Sequence, residues 1–331
     1  MAGSSTPSHL QTSGWADVKR ANGWRAVRLA AGEGAGLVGA QLLVLRPRPS
    51  PWALGYVPRG PIVAGALDGE AIRAITARLR GHAVANRVAS LVIEPEAEEG
   101  GPVEGWLREA GWRPADHVQP QSSRLIDLGQ AEARLWSDLR SSARWSVNKA
   151  RRSGIRVVEG DASRVDEFHR IYAAAVVRAG IPARGIGAFR EMWAELAPRG
   201  LAHLLFAESE ASGEPLATVF LVGCGPRIAD LSSGTTADGA RQRANHLLKW
   251  EAIVLSRAWG YRQYDFYGVP REGIAEFKAA FGGREVHYVG AFELVVDPLG
   301  HRLLAAGQAL RRLQWRLPSR AGRGSAEMAE G

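Results

Sequence analysis

Apolar positions along this chain switch between the 3.6-residue spacing of helices and the two-residue spacing of strands, with glycines at most of the switches. From Asp68 to Asn86, Ile72, Ile75, Leu79 and His82 share one stripe while Arg73, Arg78 and Arg80 point elsewhere, which predicts a helix. Before it, the pattern predicts a short helix over Trp15 to Asn22 and two strands between Trp24 and Pro47 about the Gly32 to Gly36 turn. After it come a strand from Val88 to Glu94, a helix from Val103 to Ala110 stopped by Gly111, and a strand from Ser122 to Leu128 that closes a first unit. A second unit repeats the logic. A helix from Glu132 to Ser153 leads into a strand from Ile155 to Glu159, helices over Val165 to Arg178 and Gly187 to Leu196, and strands over Leu201 to Glu208, Pro215 to Gly223 and Arg227 to Thr235. Then come a long helix ending at Trp259, a strand from Tyr261 to Phe266, a short helix about Phe277, a strand from His287 to Asp297, and a last helix from Leu299 to Leu317. Helices alternating with a mostly consecutive set of strands predict an α/β (α+β mixed-sheet) layer fold.

One stretch carries chemistry as well as structure. Gly260-Tyr-Arg-Gln-Tyr-Asp-Phe-Tyr-Gly268, followed by Gly273-Ile-Ala-Glu-Phe-Lys-Ala-Ala-Phe-Gly-Gly283, reads as a strand, a glycine turn, a short helix with a lone lysine, and a second glycine break. Phe277 and Phe281, four apart, give that helix its apolar face, and Lys278 projects beside it, where a cation can stabilise an oxyanion or a phosphate. The alternative for Lys278 is an ordinary solvated lysine. The first half holds an echo, Leu107-Arg-Glu-Ala-Gly-Trp-Arg113, so each half ends with helix, glycine break and strand.

At 331 residues the chain suits two domains or one large one. A net charge of +8 favours anionic partners in general, among them tRNA, a nucleotide-sugar pyrophosphate and an anionic membrane leaflet. The single cysteine, Cys224, sits in an apolar strand-like setting where a thiol is inert packing. The eight histidines are scattered without a nucleophile or metal-ligand spacing, so neither a Ser-His-Asp centre nor a zinc site is expected. Met1 to Ser13 lack the apolar core of a secretory signal, and no apolar run of about 18 residues occurs, so a cytoplasmic location is expected.

The ordered blocks resemble the Fem family of peptidoglycan-bridge aminoacyltransferases from about Leu10 to about Leu317. They are the Gln11-Thr12 opening with Trp15, Val18 and Lys19, the Tyr56-Val-Pro-Arg-Gly-Pro61 turn, a basic mid-chain helix, an arginine-bearing segment about Arg184, Tyr264-Asp-Phe-Tyr-Gly268, and Phe277-Lys-Ala-Ala-Phe-Gly-Gly283. The resemblance implies two tandem GNAT-like acyltransferase domains without a coiled-coil insertion. The first, residues 1–130 plus 298–317, would bind the acceptor precursor; the second, 131–297, would face the donor; 318–331 would be a disordered tail. It implies transfer of an amino acid from aminoacyl-tRNA to an amine of a cell-wall stem peptide, with UDP-MurNAc-pentapeptide or lipid II as acceptor, no cofactor, no metal, a monomer, and peripheral contact with the inner membrane face. The implied catalytic pair is Phe277 and Lys278. Lys19 and Arg184 would hold a diphosphate, with Trp15 and Tyr267 beside the substrate. Two family tyrosines are missing: Ala188-Phe189 follows Arg184, and Ile228-Ala-Asp-Leu-Ser-Ser-Gly234 has none.

The helix spanning Arg140, Arg144, Lys149, Arg151 and Arg152 could track a tRNA acceptor stem through Arg144, Lys149 and Arg151. A solvated face, with Trp145, Val147 and Ala150 on the packed side, is the equal alternative. Two other functions remain open at this point: an acyl-CoA-dependent GNAT N-acyltransferase, weakened because Arg241-Gln-Arg-Ala-Asn-His246 lacks the pyrophosphate-binding glycines, and a noncatalytic tRNA- or membrane-surface-binding protein.

Overall fold

The computed structural model describes residues 7–180, 182–268 and 272–316. The N-terminal half runs α1 (Ser13–Ala21), β1 (Arg25–Ala31), β2 (Val38–Leu45), β3 (Ala53–Pro58), β4 (Ile62–Val63), α2 (Gly69–Ala85), β5 (Val88–Glu94), α3 (Val103–Glu109), β6 (Arg113–Ala115) and β7 (Ser122–Asp127). The rest runs α4 (Glu132–Asp138), α5 (Ser141–Arg152), β8 (Ile155–Gly160), α6 (Val165–Arg178), α7 (Ile186–Leu196), β9 (Ala202–Ser209), β10 (Pro215–Cys224) and β11 (Arg227–Thr235). It ends with α8 (Ala237–Arg241), α9 (Ala244–Ala258), β12 (Gln263–Asp265), α10 (Glu272–Ala279), β13 (Arg284–His287), β14 (Ala291–Val295) and α11 (Pro298–Arg316).

These strands form two seven-stranded mixed sheets, ordered β1-β2-β3-β5-β14-β6 with β4 beside β2, and β13-β7-β12-β11-β10-β9-β8. Each contains a single parallel pair, β3 with β5 and β11 with β12. In each, the strand after that pair comes from the other half of the chain. β14 runs antiparallel to both β5 and β6, and β7 does the same with β12 and β13. This corrects the division read from chain order. The strand expected to close the first unit completes the second sheet, and the one expected in the second unit completes the first. The physical reason is pairing: each sheet leaves a strand-wide gap that its own consecutive strands do not fill, so the backbone groups there are satisfied by the strand arriving across the domain boundary.

Two elements break where the hydrophobic pattern ran on. The helix expected over Glu132 to Ser153 is two helices, because Leu139 turns extended to bury itself in the second core and the Arg140 amide donates to the Ala280 carbonyl at 2.9 Å. The strand expected from His287 to Asp297 is β13 and β14, parted at Gly290, whose φ of 85° sends the chain from one sheet to the other. The echo between halves is real. Gly111, Gly282 and Gly283 all have positive φ, each between a short helix and an edge strand. A Cβ on Gly283 would lie 2.4 Å from the Leu125 carbonyl oxygen, so the close approach of this turn to β7 requires glycine.

Each sheet has its own core, and a third cluster joins them. Leu10, Trp15 and Val18 at the N-terminus and Leu43 on β2 pack against Phe168, Tyr172, Phe189, Met192 and Phe220 of the second half. Burying such a side chain contributes about 1.5–3 kcal/mol, so this seam makes the cleft between the halves a fixed feature. The last helix docks on the first sheet as expected: Leu304 is buried, Gly300 lies against the Trp52 ring, and the Trp52 indole donates to Asp297 at 2.8 Å. The tail expected to be disordered from residue 318 lies outside the described residues.

Candidate active site between the two sheets

The opening Gln-Thr pair turns out to be an anchor. Thr12 caps α1 by accepting from the Trp15 amide at 3.1 Å. The Gln11 amide donates to the Pro58 carbonyl at 2.6 Å and its oxygen accepts from the Gln41 backbone at 2.7 Å, tying the chain start to β2 and to the Pro-Arg-Gly-Pro turn. This holds Trp15 in the joining cluster and brings the Lys19 ammonium 5.1 Å from the Trp15 ring centroid. Arg184, on the loop entering α7, arrives from the opposite half; its amide donates to the Tyr172 hydroxyl at 3.3 Å. Burial, then the nearby Arg184 guanidinium, hold the Lys19 ammonium below its ordinary range. Among the described residues neither cation has a carboxylate within 4.0 Å. Two cations within electrostatic reach of each other and without a carboxylate partner among the described residues form an arrangement suited to an anion.

Beside them His9 is wedged between Trp15 and Tyr267, with ring centroids 5.7 and 5.5 Å away. Burial, reinforced by Arg227, Arg59 and Arg184, pushes its imidazole down to about 3, so it is neutral at physiological pH. Its Nε2 and the Trp15 Nε1 are both buried without a hydrogen-bond partner. Tyr267 has a φ of 46°, a conformation unusual outside glycine; its amide donates to Asp265 at 2.7 Å and its hydroxyl to Gln119 at 2.7 Å, which hold it there. A small cavity of about 20 Å³ opens at this point, lined from both halves by His9, Arg59, Glu96, Arg227, Asp265 and Tyr267. Arg59, the arginine of the Pro-Arg-Gly-Pro turn, is buried, donates to the Pro120 carbonyl, and lies 4.2 Å over the Tyr288 ring. Arg227 pairs with Glu96, so the two halves are also joined by charge.

Lys278 sits behind this cavity. Its ammonium donates to the Phe266 carbonyl at 2.7 Å and to the carbonyl of Gly268, a residue that itself lines the cavity. Burial pushes it down to about 8 against the pull of Asp230, with Lys249 adding to the fall. One N–H remains for a ligand. Phe277 turns the other way, edge-on to His246 at 5.0 Å and Phe281 at 5.3 Å, and walls this region.

Trp15, Lys19, Arg184 and Tyr267 are thus brought together, with Lys278 linked to them through Gly268. The basic helix α5 is elsewhere, and its cations are engaged differently than a bare electrostatic face would be. Arg144 donates to the Ser137 carbonyl at 3.0 Å and to that of Leu139, capping α4. Arg151 pairs with Glu251 at 2.7 Å. Lys149 lies 5.2 Å over the ring of Trp145, which is 53% exposed. Cys224 is buried as expected, and burial pushes its thiol up to about 11. The sequence reading passed over His9, Arg59 and Glu94. Glu94 at the end of β5 is buried, accepts from the Val118 and Gln119 amides at 2.6 and 2.8 Å, and has its carboxyl raised by burial. His9 is adjacent to a motif, and Arg59 and Glu94 end strands beside prolines, which was the available signal.

Two mixed sheets, each with one parallel pair and a strand from the other half, and a polar cavity where the halves meet, define a fold of tandem GNAT-like domains. The comparisons agree. A family model described as "FemAB family" matches residues 2–100, and one described as "Acetyltransferase (GNAT) domain" matches 137–279. A solved structure titled "Crystal structure of FemX" superposes with a TM-score of 0.82 at 19% identity, covering 92% of this chain and 96% of that one. The chain is 26% identical over 212 residues to a "Lipid II:glycine glycyltransferase" of Staphylococcus epidermidis, covering 61% of this chain and 51% of the relative. It is 25% identical over 210 residues to the enzyme of that name from Staphylococcus aureus strain MRSA252, covering 60% and 50%. The chain spans about half the length of the curated relatives it matches. Among the described residues no helix is long and apolar enough to cross a membrane, and no group of three or more His, Cys, Asp or Glu could hold a metal ion.

Proposed function

We propose that this protein is an aminoacyltransferase that moves an amino acid from aminoacyl-tRNA to an amine of a peptidoglycan precursor stem peptide, acting as a monomer without cofactor or metal. The ester donor is already activated, so the chemistry asks for positioning of two substrates and stabilisation of a tetrahedral oxyanion. One observation carries the reading: Lys19 and Arg184 come from opposite halves to within electrostatic reach of each other, with no carboxylate partner among the described residues, which suits a diphosphate-linked acceptor. Lys278, behind Gly268, supplies the cation for the oxyanion or the flanking phosphate of the donor. The first domain would receive the acceptor and the second the donor, with exposed Trp145 and half-buried Lys149 offering a stacking and phosphate contact to RNA. The relatives' names support lipid II, or the nucleotide-linked precursor before it, as acceptor, and with lipid II the protein would work at the inner membrane face. The test is mass spectrometry of nucleotide-linked and lipid-linked precursors incubated with the protein and a charged tRNA pool. Addition of one amino-acid residue to the stem supports the proposal; acylation from acyl-CoA instead, with no product from tRNA, overturns it.

A further inference from the structure

Beneath Lys278 lies a buried charge pair that neither the motifs nor the proposed reaction uses. Lys249, on the core face of α9 and 1% exposed, bonds Asp230 on β11 at 2.5 Å, and Asp230 is 5% exposed. The Tyr264 hydroxyl, fully buried, donates to the same Asp230 oxygen at 3.2 Å. Tyr264 belongs to β12 and its ring is edge-on to Phe266 at 5.2 Å, whose carbonyl accepts from Lys278. A continuous path therefore runs from Lys249 through Asp230 and Tyr264 to the strand end that holds the Lys278 ammonium. A buried ion pair adds little stability over apolar residues of the same volume, so its presence in an otherwise apolar core calls for another role.

We propose that Lys249, Asp230 and Tyr264 form a positioning unit for Lys278, fixing the strand end that carries its two carbonyl partners and setting the local charge against which its ammonium is held. This rests on the reading of Lys278 as the cation of the transfer site. The charged groups acting on Lys278 are Asp230 from β11, Lys249 from α9 and Asp265 from β12, and His246 of α9 lies against the ring of the neighbouring Phe277. His246 is pushed down to about 4 by burial and by Arg243, so near neutral pH it carries no charge. That leaves Asp230 and Asp265 favouring the ammonium and Lys249 opposing it. Removing one member of the pair exposes Lys278 to the other's uncompensated charge, so the two single substitutions act with opposite sign, which a purely structural role does not produce.

The experiment reads Lys278 directly, by the pH dependence of its acetylation with acetic anhydride, quantified by peptide mass spectrometry on the full chain. Lys249→Met should raise its protonation midpoint by about one pH unit and Asp230→Asn should lower it by about one, with the double variant between them. Lys249→Gln, whose amide can still donate to Asp230, replaces the methionine variant if that fails to fold and should move the midpoint the same way. Turnover against pH should follow the same order, with kcat affected more than the KM of either substrate. Midpoints that stay within about 0.3 unit of the native one, or that move in the same direction in both single variants, overturn the proposal. Labelling needs no reaction, so it separates the two readings: shifted midpoints with undiminished turnover in Lys278→Met would remove the proposed function and leave the pair's hold on Lys278 standing.

Discussion

Replacing Lys278 by methionine should slow the proposed transfer and change how the protein's stability depends on pH in a defined way. The ammonium is pushed from the ordinary lysine value of 10.5 to about 8, chiefly by burial. A gap of about 2.5 pH units corresponds to roughly 3 kcal/mol that the native state loses by burying the charged form at neutral pH. The sign follows from proton counting. Between pH 8 and 10.5 the unfolded chain holds a proton on Lys278 that the folded protein has released, so native stability rises with pH through this window. Methionine has no such term. The stability of the native protein minus that of Lys278→Met should therefore grow by up to about 2.5 kcal/mol between pH 7 and pH 10. The lost bonds to the Phe266 and Gly268 carbonyls add an offset that is the same at every pH and cancels from the slope. Urea denaturation of both proteins at pH 7, 8, 9 and 10, with matched m-values, measures the difference. Turnover at pH 7 should fall by about two orders of magnitude, the size expected on losing an oxyanion contact. A stability difference flat across pH would refute the buried-ammonium argument, and undiminished turnover would remove Lys278 from the site.

Lys19→Ala and Arg184→Ala should each raise the KM for a diphosphate-linked acceptor about tenfold or more and leave tRNA affinity little changed; equal losses toward an acceptor without the diphosphate would assign them to fold or donor. On α5 the effects should separate. Arg144→Ala, which uncaps α4, should cost about 1–2 kcal/mol of stability, whereas Lys149→Ala should spare stability and flatten the log–log salt dependence of tRNA binding by just under one unit. His9 stays neutral in the fold down to about 3 while an unfolded histidine protonates near 6.5, so native stability falls as pH drops below 6.5. His9→Phe should remove about 2 kcal/mol of that loss between pH 7 and pH 5 in denaturant melts, and an unchanged acid profile would contradict the burial argument.

Periodicity located nearly every helix and strand because each buries one face against its own sheet, as α2 does with Ile72, Ile75 and Leu79. It could not place β7 and β14, since alternation says that a strand is half-buried and nothing about which sheet receives it. Nor could it see the break before α5, where a tertiary bond from Arg140 to Ala280 outweighs helix continuation. Motif order singled out Trp15, Lys19, Arg184, Tyr267 and Lys278, and the structure adds the anchoring part played by Gln11 and the nearness of Trp15, Lys19, Arg184 and Tyr267. The Lys249–Asp230 pair left a signal that went unread: a lysine within the buried face of α9, next to Leu248 and three residues before Ala252, demands a buried partner.

The account stands most directly on where the amino acid comes from. With a tRNA pool charged with radiolabelled amino acid, nucleotide-linked precursor and the native protein, a single-turnover assay should show label passing to the stem peptide. Prior ribonuclease treatment should abolish the transfer, and Lys278→Met should slow it about a hundredfold. Label that never leaves the tRNA, or a precursor acylated equally well after ribonuclease treatment, would contradict the account.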